Sequence, residues 1–171
     1  IPMADGLIMF IDPLSLPGFA QAIGRKQAGQ DPSKILDAFY EVYVLQQGGK
    51  LNMGDKIGVP TTFILGKADL YEPWIKAQPN IMNVAEHKGG VDVQALERSS
   101  AATQTVLDHL GGSPLIGVIK NRFEHFHFFT VASGTPYKDE TGIDRFQVHP
   151  FRVLDPLLWI LLRNNRVPPL D

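Results

Sequence analysis

Two charged side chains that could act on one ligand, Lys67 and Asp69, follow a short apolar run within the segment 58–71. Residues 59–65 are apolar and β-branched, and this pattern predicts a buried strand that stops at Gly66. Ligands of open parallel sheets bind at the loops that follow the carboxyl ends of the strands. Because Lys67 and Asp69 are two residues apart, both side chains can reach one ligand from the same side of an extended or tightly turning loop.

Lys67 and Asp69 together could recognise a planar nucleobase. A carboxylate can accept two N–H hydrogen bonds from a planar donor edge, with the strength of charge-assisted bonds, while the lysine stem covers the face beside it. Guanine alone among the common bases offers a ring N–H and an exocyclic amine side by side on its pairing edge. Lys-x-Asp also occurs by chance in many chains, so a solvated corner between a strand and a loop is the alternative interpretation of the tripeptide taken alone.

The length and composition predict one globular domain covering residues 1–171. The chain has 44% hydrophobic and 20% charged residues, which suits a domain large enough to bury a core. The formal net charge of -2 gives no electrostatic footprint for nucleic acid. The chain has no cysteine, which excludes disulfides and cysteine-ligated metal sites.

Targeting signals are not evident in the sequence. No apolar run approaches the length of a membrane span, and no basic-then-apolar leader is present, so we expect a cytoplasmic protein without a membrane span. The chain starts at Ile1-Pro2-Met3 without an initiator methionine. We therefore expect these residues to be part of a longer chain.

The order of the predicted elements indicates an α/β fold. Strands and helices alternate, which predicts three layers: a mostly parallel sheet with helices on both faces. The first strand is a continuous apolar run, as expected of a strand buried on both faces. The predicted elements are a strand at 6–12, a loop or insertion at 13–33, a helix at 31–47 capped by Asp31, a strand at 58–65, a polar segment at 72–90, a helix at 91–110, a short helical or irregular piece at 115–119, a strand at 123–132, a loop at 137–145 and a terminal helix at 150–163.

His125 and His127 form an i, i+2 pair in the strand predicted at 123–132. Two imidazoles on one strand face would suit a metal, but no third histidine, cysteine or spaced carboxylate joins them locally. We therefore favour a polar strand face or edge and expect no metal site.

The segment around Lys67 and Asp69 resembles the base-specificity motif of P-loop GTPases of the Ras-like and translation-factor class, Asn/Thr-Lys-x-Asp after an apolar strand. Residues 4–12, Ala-Asp-Gly-Leu-Ile-Met-Phe-Ile-Asp, are similar to the strand that follows the second switch of these GTPases. The resemblance implies that Asp12 lies near the nucleotide. The alternative, which the residues favour, is that Asp12 caps a turn made with Pro13.

A second match lies at residues 131–134, Val-Ala-Ser-Gly. This segment resembles the Ser-Ala-x loop of the GTPases, in which a backbone N–H binds guanine O6 and excludes adenine. The order here is Ala132-Ser133, so the resemblance implies a backbone role rather than a side-chain role. An ordinary Ser-Gly-Thr-Pro turn is the alternative. The terminal helix also resembles the closing helix of a bacterial double-GTPase-like group.

The resemblance covers only the carboxyl-terminal half of a GTPase domain, so it implies an incomplete P-loop NTPase fold that binds GTP or GDP. No Gly-x-x-x-x-Gly-Lys-Ser/Thr motif is present. Phosphate contacts, Mg²⁺ and GTP hydrolysis are therefore expected only with a missing phosphate-loop segment. The implied guanine-binding residues are Lys67, Asp69 and Ser133, with Asp12, Gly66 and Ala132 on the nucleotide side.

Gly66 departs from the family pattern because it occupies the Asn/Thr position of the motif. We expect weaker base binding or a differently braced loop. The alternative function is a degenerate, non-enzymatic GTPase-fold domain that serves as an interaction or scaffold module. Its expected partner is another protein or a missing amino-terminal segment.

Overall fold

A computed structural model describes residues 4–48, 50–84, 87–138, 141 and 144–170. The fold is mixed α/β, with a parallel sheet, an antiparallel hairpin and helices between and after them. The elements are β1 (Leu7–Ile11), α1 (Pro17–Ala22), α2 (Pro32–Gln46), β2 (Thr61–Leu65), α3 (Glu72–Lys76), α4 (Pro79–Met82), α5 (Val93–Leu107), α6 (Ser113–Arg122), β3 (Phe126–Thr130), β4 (Ala132–Lys138), β5 (Asp144–Phe151) and α7 (Asp155–Arg163).

The parallel sheet has the strand order β1-β2-β3. Leu7 lies opposite Thr61, which lies opposite Phe126, so the three strands begin and end together. All five residues of β2 are buried, as expected of a central strand with neighbours on both sides. The predicted mixed α/β fold with a parallel sheet is confirmed.

Helices pack against both faces of this sheet. Phe63 and Phe128, which are register partners, belong to a core that also contains Tyr40 of α2 and Ile119 of α6. Side chains alternate along a strand, so Phe129 points to the opposite face. There it packs with Trp159 and Ile160 of α7 and with Leu96 of α5.

The start of α2 follows from local chemistry. The Asp31 side chain accepts a hydrogen bond from the Ser33 backbone N–H at 2.9 Å, and Pro32 occupies the first turn, where its missing N–H costs nothing. The helix ends before Gly48, whose φ of 59° is a left-handed conformation that glycine adopts easily. The predicted helix at 31–47 is confirmed.

The prediction for residues 13–33 was wrong. They are not simply a loop: a 3₁₀ turn at Pro13–Ser15 leads into α1, which buries Phe19 completely. The helix predicted at 91–110 is confirmed as α5, which is followed by a π-helical turn, Asp108–Gly112, and then by α6. Gly111 has a φ of 85°, so the chain turns there and a single helix cannot continue.

The region after β3 was also predicted incorrectly. Residues 132–135 do not form a turn, and 137–145 is not a loop throughout, because β4 and β5 pair as an antiparallel hairpin. Residues 139, 140, 142 and 143 lie outside the described residues. The terminal helix begins at Asp155 rather than at residue 150, because Pro150 and Phe151 belong to β5.

The first strand is not buried on both faces as predicted. Phe10 is 73% exposed and Ile8 is 46% exposed, because nothing described covers that face beside β1. The apolar side chains of α2 are likewise divided between buried and exposed positions. Leu36 is buried, whereas Ile35 and Val42 are exposed.

The outer edge of β3 is covered by α5. The Phe128 backbone N–H donates to Ser100 Oγ at 3.0 Å, and the buried hydroxyls of Thr103 and Thr130 lie 3.2 Å apart. The first contact satisfies one outward backbone N–H of the edge strand, and the second joins side chains of α5 and β3. No helix in the described part of the chain is long and apolar enough to cross a membrane.

Candidate ligand-binding site at the carboxyl edge of the sheet

The carboxyl ends of the three parallel strands meet through backbone hydrogen bonds. The Gly66 N–H donates to the Ile11 carbonyl at 3.2 Å, and the Val131 N–H donates to the Leu65 carbonyl at 3.1 Å. The Ala68 N–H then donates to the Val131 carbonyl at 3.2 Å. Residues after β1, β2 and β3 are therefore held at one edge of the sheet, which is where open parallel sheets bind ligands.

Lys67 and Asp12 form an ion pair at this edge. Lys67 Nζ lies 2.7 Å from Asp12 Oδ2, and both side chains are about half exposed. Asp12 Oδ1 also accepts the Leu14 N–H at 3.0 Å, which confirms the predicted cap of the turn with Pro13. Asp12 therefore makes a structural cap and an exposed ion pair with the same carboxylate. Exposed pairs contribute little stability, so a ligand can displace this one at little cost.

The backbone of Lys67 is in an unusual conformation. Its φ of 58° and ψ of 45° are left-handed, which is uncommon for a residue with a Cβ atom. Such strained residues cluster at functional sites, where the surrounding structure holds them in place. Here the bend directs the chain from β2 into a 3₁₀ turn, Ala68–Tyr71.

Asp69 lies in the first turn of this 3₁₀ segment and is partly buried. Within the described residues, its carboxylate accepts no hydrogen bond and joins no ion pair. A carboxylate that is partly buried and lacks such partners keeps its acceptor capacity for a ligand.

A cavity of ≈180 Å³ brings Asp69 together with the residues that follow β3. Its walls are mostly apolar, and Glu72 is the other charged residue that lines it. The lining residues are Ala68, Asp69, Glu72, Ile75, Met82, Ala132, Gly134 and Phe151.

Ala132 and Ser133 stand at the base of the β4–β5 hairpin. Ala132 lies opposite Phe151, and the register then shifts so that Gly134 lies opposite Val148. Ser133 has no partner in this register and is exposed. Irregular strand pairing of this kind is frequent beside binding sites because it re-aims the backbone. Ser133 does not line the cavity, whereas Ala132 does.

Tyr71 anchors the loop that carries Asp69, and the sequence analysis did not identify it. Its buried hydroxyl donates to the Leu65 carbonyl at 2.7 Å, and burial raises the pKa of this phenol above its ordinary value, so it stays protonated and donates. Trp74 packs edge-on against Phe19 at 5.9 Å and so anchors the same loop. The sequence signal for this anchor was an aromatic residue, Tyr71, in the loop that follows β2.

His127 lies in β3 and His125 just before it, so the predicted polar strand face or edge is borne out in part: β3 is an edge strand of the sheet, but His127 is partly buried. His127 stacks on Trp159 with ring centroids 4.6 Å apart, and its Nδ1–H donates to the Phe126 carbonyl at 2.7 Å. His125 precedes β3 and contacts Arg163. Among the residues that the structure describes, no group of three or more histidine or acidic side chains could hold a metal ion.

A larger cavity, ≈390 Å³, lies elsewhere, at the start of α2. It is lined by Asp31, Lys34 and glycines near α6, but it contains none of the predicted site residues. We favour the smaller cavity as the candidate site because Asp69 and Ala132, from two different strand ends, meet there.

Comparison with known protein families, with curated proteins and with solved structures finds no match to this chain. The function is therefore inferred from the sequence motifs and from the geometry of the carboxyl edge.

Proposed function

We propose that this chain supplies the base-recognition half of a guanine-nucleotide-binding domain of the Ras-like P-loop GTPase class. The observation that carries the proposal is the partly buried Asp69 carboxylate, which accepts no hydrogen bond from the described residues and shares a cavity with Ala132. The order β1-β2-β3 with helices against both faces agrees with the corresponding half of such a domain.

In this proposal Asp69 accepts the ring N–H and the exocyclic amine of guanine. These two donors are adjacent and coplanar, and a carboxylate offers two acceptor oxygens at matching separation. Adenine presents an unprotonated ring nitrogen at the corresponding position and would be repelled. Asp69 is therefore the residue that selects guanine.

Lys67 covers one face of the base with its aliphatic stem. Its ammonium group lies at the same edge of the sheet, in an exposed pair with Asp12 that a ligand can displace. The backbone N–H of Ser133, at the irregular start of the hairpin, donates to guanine O6. Lys67 and Ser133 orient the base, whereas Asp69 identifies it.

Magnesium and phosphate do not fit the residues of this chain. The sequence has no phosphate loop, and the described residues offer no cluster of metal ligands. GTP hydrolysis, as the activity of a complete protein, would depend on an additional segment that contributes those groups. No hydrolytic step is assigned to the residues described here.

The experiment isolates the base by using guanosine and adenosine, which need no phosphate loop. Backbone amide chemical shifts of the chain are measured by NMR during titration with each nucleoside. We expect guanosine to shift the amides of 66–70 and 131–134, and adenosine to leave them unchanged. Equal shifts with both nucleosides, or none with guanosine, would refute the proposal.

Asp69→Asn is the sharper variant because it keeps the shape of the side chain. An amide accepts one N–H and donates one, so it matches xanthine, which has a carbonyl where guanine has its amine. We expect the preference to change from guanosine to xanthosine. Asp12→Asn is the matched control and should retain guanosine selectivity, since Asp12 caps a turn.

Gly66→Asn restores the side chain that the GTPase motif has at this position. A Cβ atom there would meet nothing within 4 Å, and the φ of Gly66 is not positive, so the substitution should not strain the fold. We expect tighter guanosine binding, which titration calorimetry would measure. Unchanged or weaker binding would contradict the alignment of Gly66 with that motif position.

A second candidate is a non-enzymatic interaction domain. The exposed apolar residues of β1 and α2 favour it, because contiguous apolar surface commonly marks a protein contact. Selective response to guanosine would support the first candidate, and no response to either nucleoside would leave the second.

A further inference from the structure

Arg152 is a buried arginine with a strained backbone, directly after the end of β5. Its φ of 53° is left-handed, which is uncommon for a residue with a Cβ atom. Only 4% of the residue is exposed. Backbone strain persists where the surrounding structure holds a residue in place, and it is frequent at functional sites. The strain at Arg152 therefore has to be offset by the contacts of its side chain.

The guanidinium group of Arg152 binds the carboxyl end of α4. Its Nε donates to the Ile81 carbonyl at 2.7 Å. One terminal nitrogen donates to the carbonyls of Asn80, at 3.1 Å, and Asn83, at 2.7 Å. The last carbonyls of a helix have no partner within the helix, and a helix as short as α4 has little stability of its own. Arg152 therefore fixes the position of the end of α4.

The other terminal nitrogen of Arg152 pairs with Asp155 in the first turn of α7. The two side chains are 1% and 4% exposed, and His87 Nε2 lies 3.5 Å from the second oxygen of the same carboxylate. Removing one partner of a buried ion pair strongly destabilises a protein, because the other charge is left without compensation. The guanidinium group thus joins α4 and α7 to the end of β5.

Two walls of the candidate cavity lie next to these anchored groups. Met82 and Phe151 both line the ≈180 Å³ cavity, whereas Arg152 does not. Met82 lies between Ile81 and Asn83, whose carbonyls accept the guanidinium hydrogen bonds. Phe151 is the residue directly before Arg152 in the chain. One buried side chain behind the cavity therefore holds the backbone of both walls.

We propose that Arg152 is a positioning residue of the candidate site, which holds Met82 and Phe151 at the separation that a planar ligand requires. It acts through these two residues and does not touch the ligand. The inference rests on the proposed function for the identity of that ligand, guanosine. A binding site keeps its affinity only while supporting residues hold its groups to within about 0.5 Å. Loss of the guanidinium group should therefore weaken binding although no ligand contact is removed.

Arg152→Lys tests the proposal. Lysine keeps a positive charge beside Asp155 but lacks the planar fork of donors that reaches several carbonyls at once. We expect titration calorimetry, at a temperature at which the variant is folded, to show a guanosine dissociation constant about tenfold or more above that of the unmodified chain. Leu36→Ala is the control, because it destabilises the fold by emptying buried volume in α2, away from the cavity. This control should bind guanosine with unchanged affinity.

Arg152→Gly allows chemical rescue. Glycine adopts the left-handed conformation without strain, and its missing side chain leaves space for a free guanidinium ion. Guanidinium chloride at a concentration too low to denature the chain should restore guanosine affinity. The same concentration of ammonium chloride should not, because ammonium lacks the planar fork of donors.

The methyl NMR signals of Met82 and of Ala132, which lies opposite Phe151, give a readout that needs no ligand. We expect both signals to shift in the two Arg152 variants, to return with guanidinium in Arg152→Gly, and to stay in place in Leu36→Ala. If the unmodified chain does not respond to guanosine, the proposed function fails, and these signals still test the role of Arg152.

Three results would overturn the inference about Arg152. The first is unchanged methyl signals in both variants. The second is a guanosine affinity in Arg152→Lys equal to that of the unmodified chain. The third is an equal loss of affinity in Leu36→Ala, which would show that lower stability alone weakens binding.

Discussion

The two lateral edges of the sheet are finished in different ways. On the β3 side, α5 lies against the strand, and Ser100 accepts the outward Phe128 N–H at 3.0 Å. On the β1 side, Ile8 and Phe10 leave both their backbone groups and their side chains uncovered by the described residues. The same short parallel sheet therefore has one edge covered by a helix of its own chain and one edge that the described residues leave uncovered.

Residues at the two edges should therefore contribute differently to the stability of the monomer. Residues at the covered edge hold the monomer together, because their removal leaves a cavity or an unpaired group in the core. Residues at the open edge are exposed and therefore contribute little to the stability of the monomer.

Phe128→Ala should lower the free energy of unfolding by roughly 3–5 kcal/mol, because it deletes a buried ring of the main core. Phe10→Ala, in the open edge, should change it by less than about 0.5 kcal/mol in dilute protein. Urea denaturation at a concentration that keeps the chain monomeric measures both. Similar losses for the two variants would show that the exposed edge contributes as much to the stability of the monomer as the core does.

Ser100→Ala should lower the free energy of unfolding by about 1–3 kcal/mol, because it leaves the Phe128 N–H without its acceptor. Thr105→Ala is a suitable control, since its exposed hydroxyl bonds only to the Ala101 carbonyl of the same helix. That control should stay within about 0.5 kcal/mol. Hydrogen exchange at the Phe128 amide should become faster in Ser100→Ala. An unchanged exchange rate would show that Ser100 does not satisfy this N–H.

The free energy of unfolding should depend on pH through His127, which lies in β3. Burial lowers the pKa of this imidazole below its ordinary value of 6.5. The unfolded chain therefore binds a proton more readily than the folded one, and stability falls as the pH drops below about 6.5 towards the lower folded pKa. His127→Phe, which keeps a ring over Trp159, should flatten this part of the pH profile measured by urea denaturation. An unchanged profile would contradict the prediction.

The sequence was sufficient where local chemistry decides the structure. Asp31 followed by Pro32 predicted the start of α2, and the β-branched run 61–65 predicted the central strand. Asp12 was predicted to cap a turn, and it does. Each of these depends on residues that lie within a few positions of one another.

The sequence failed where the answer depends on distant neighbours. The apolar run of β1 is the same whether or not another strand or helix covers it, so it predicted burial that the structure does not have. Gly134 and Pro136 indicated a turn, yet pairing with β5 overrides that local preference. At the candidate site, Asp69 and Ala132 were predicted to approach one ligand from separate strands, but the cavity that they share is visible only in the fold.

We propose that the carboxyl edge of the sheet recognises guanine. The most direct test is thermal unfolding of the unmodified chain with saturating GDP and, separately, with saturating ADP. Because a ligand that binds only the folded state raises the melting temperature, we expect GDP to raise it, ADP to leave it unchanged, and Asp69→Ala to abolish the response. Equal stabilisation by both nucleotides, or a GDP response that survives in Asp69→Ala, would contradict the account.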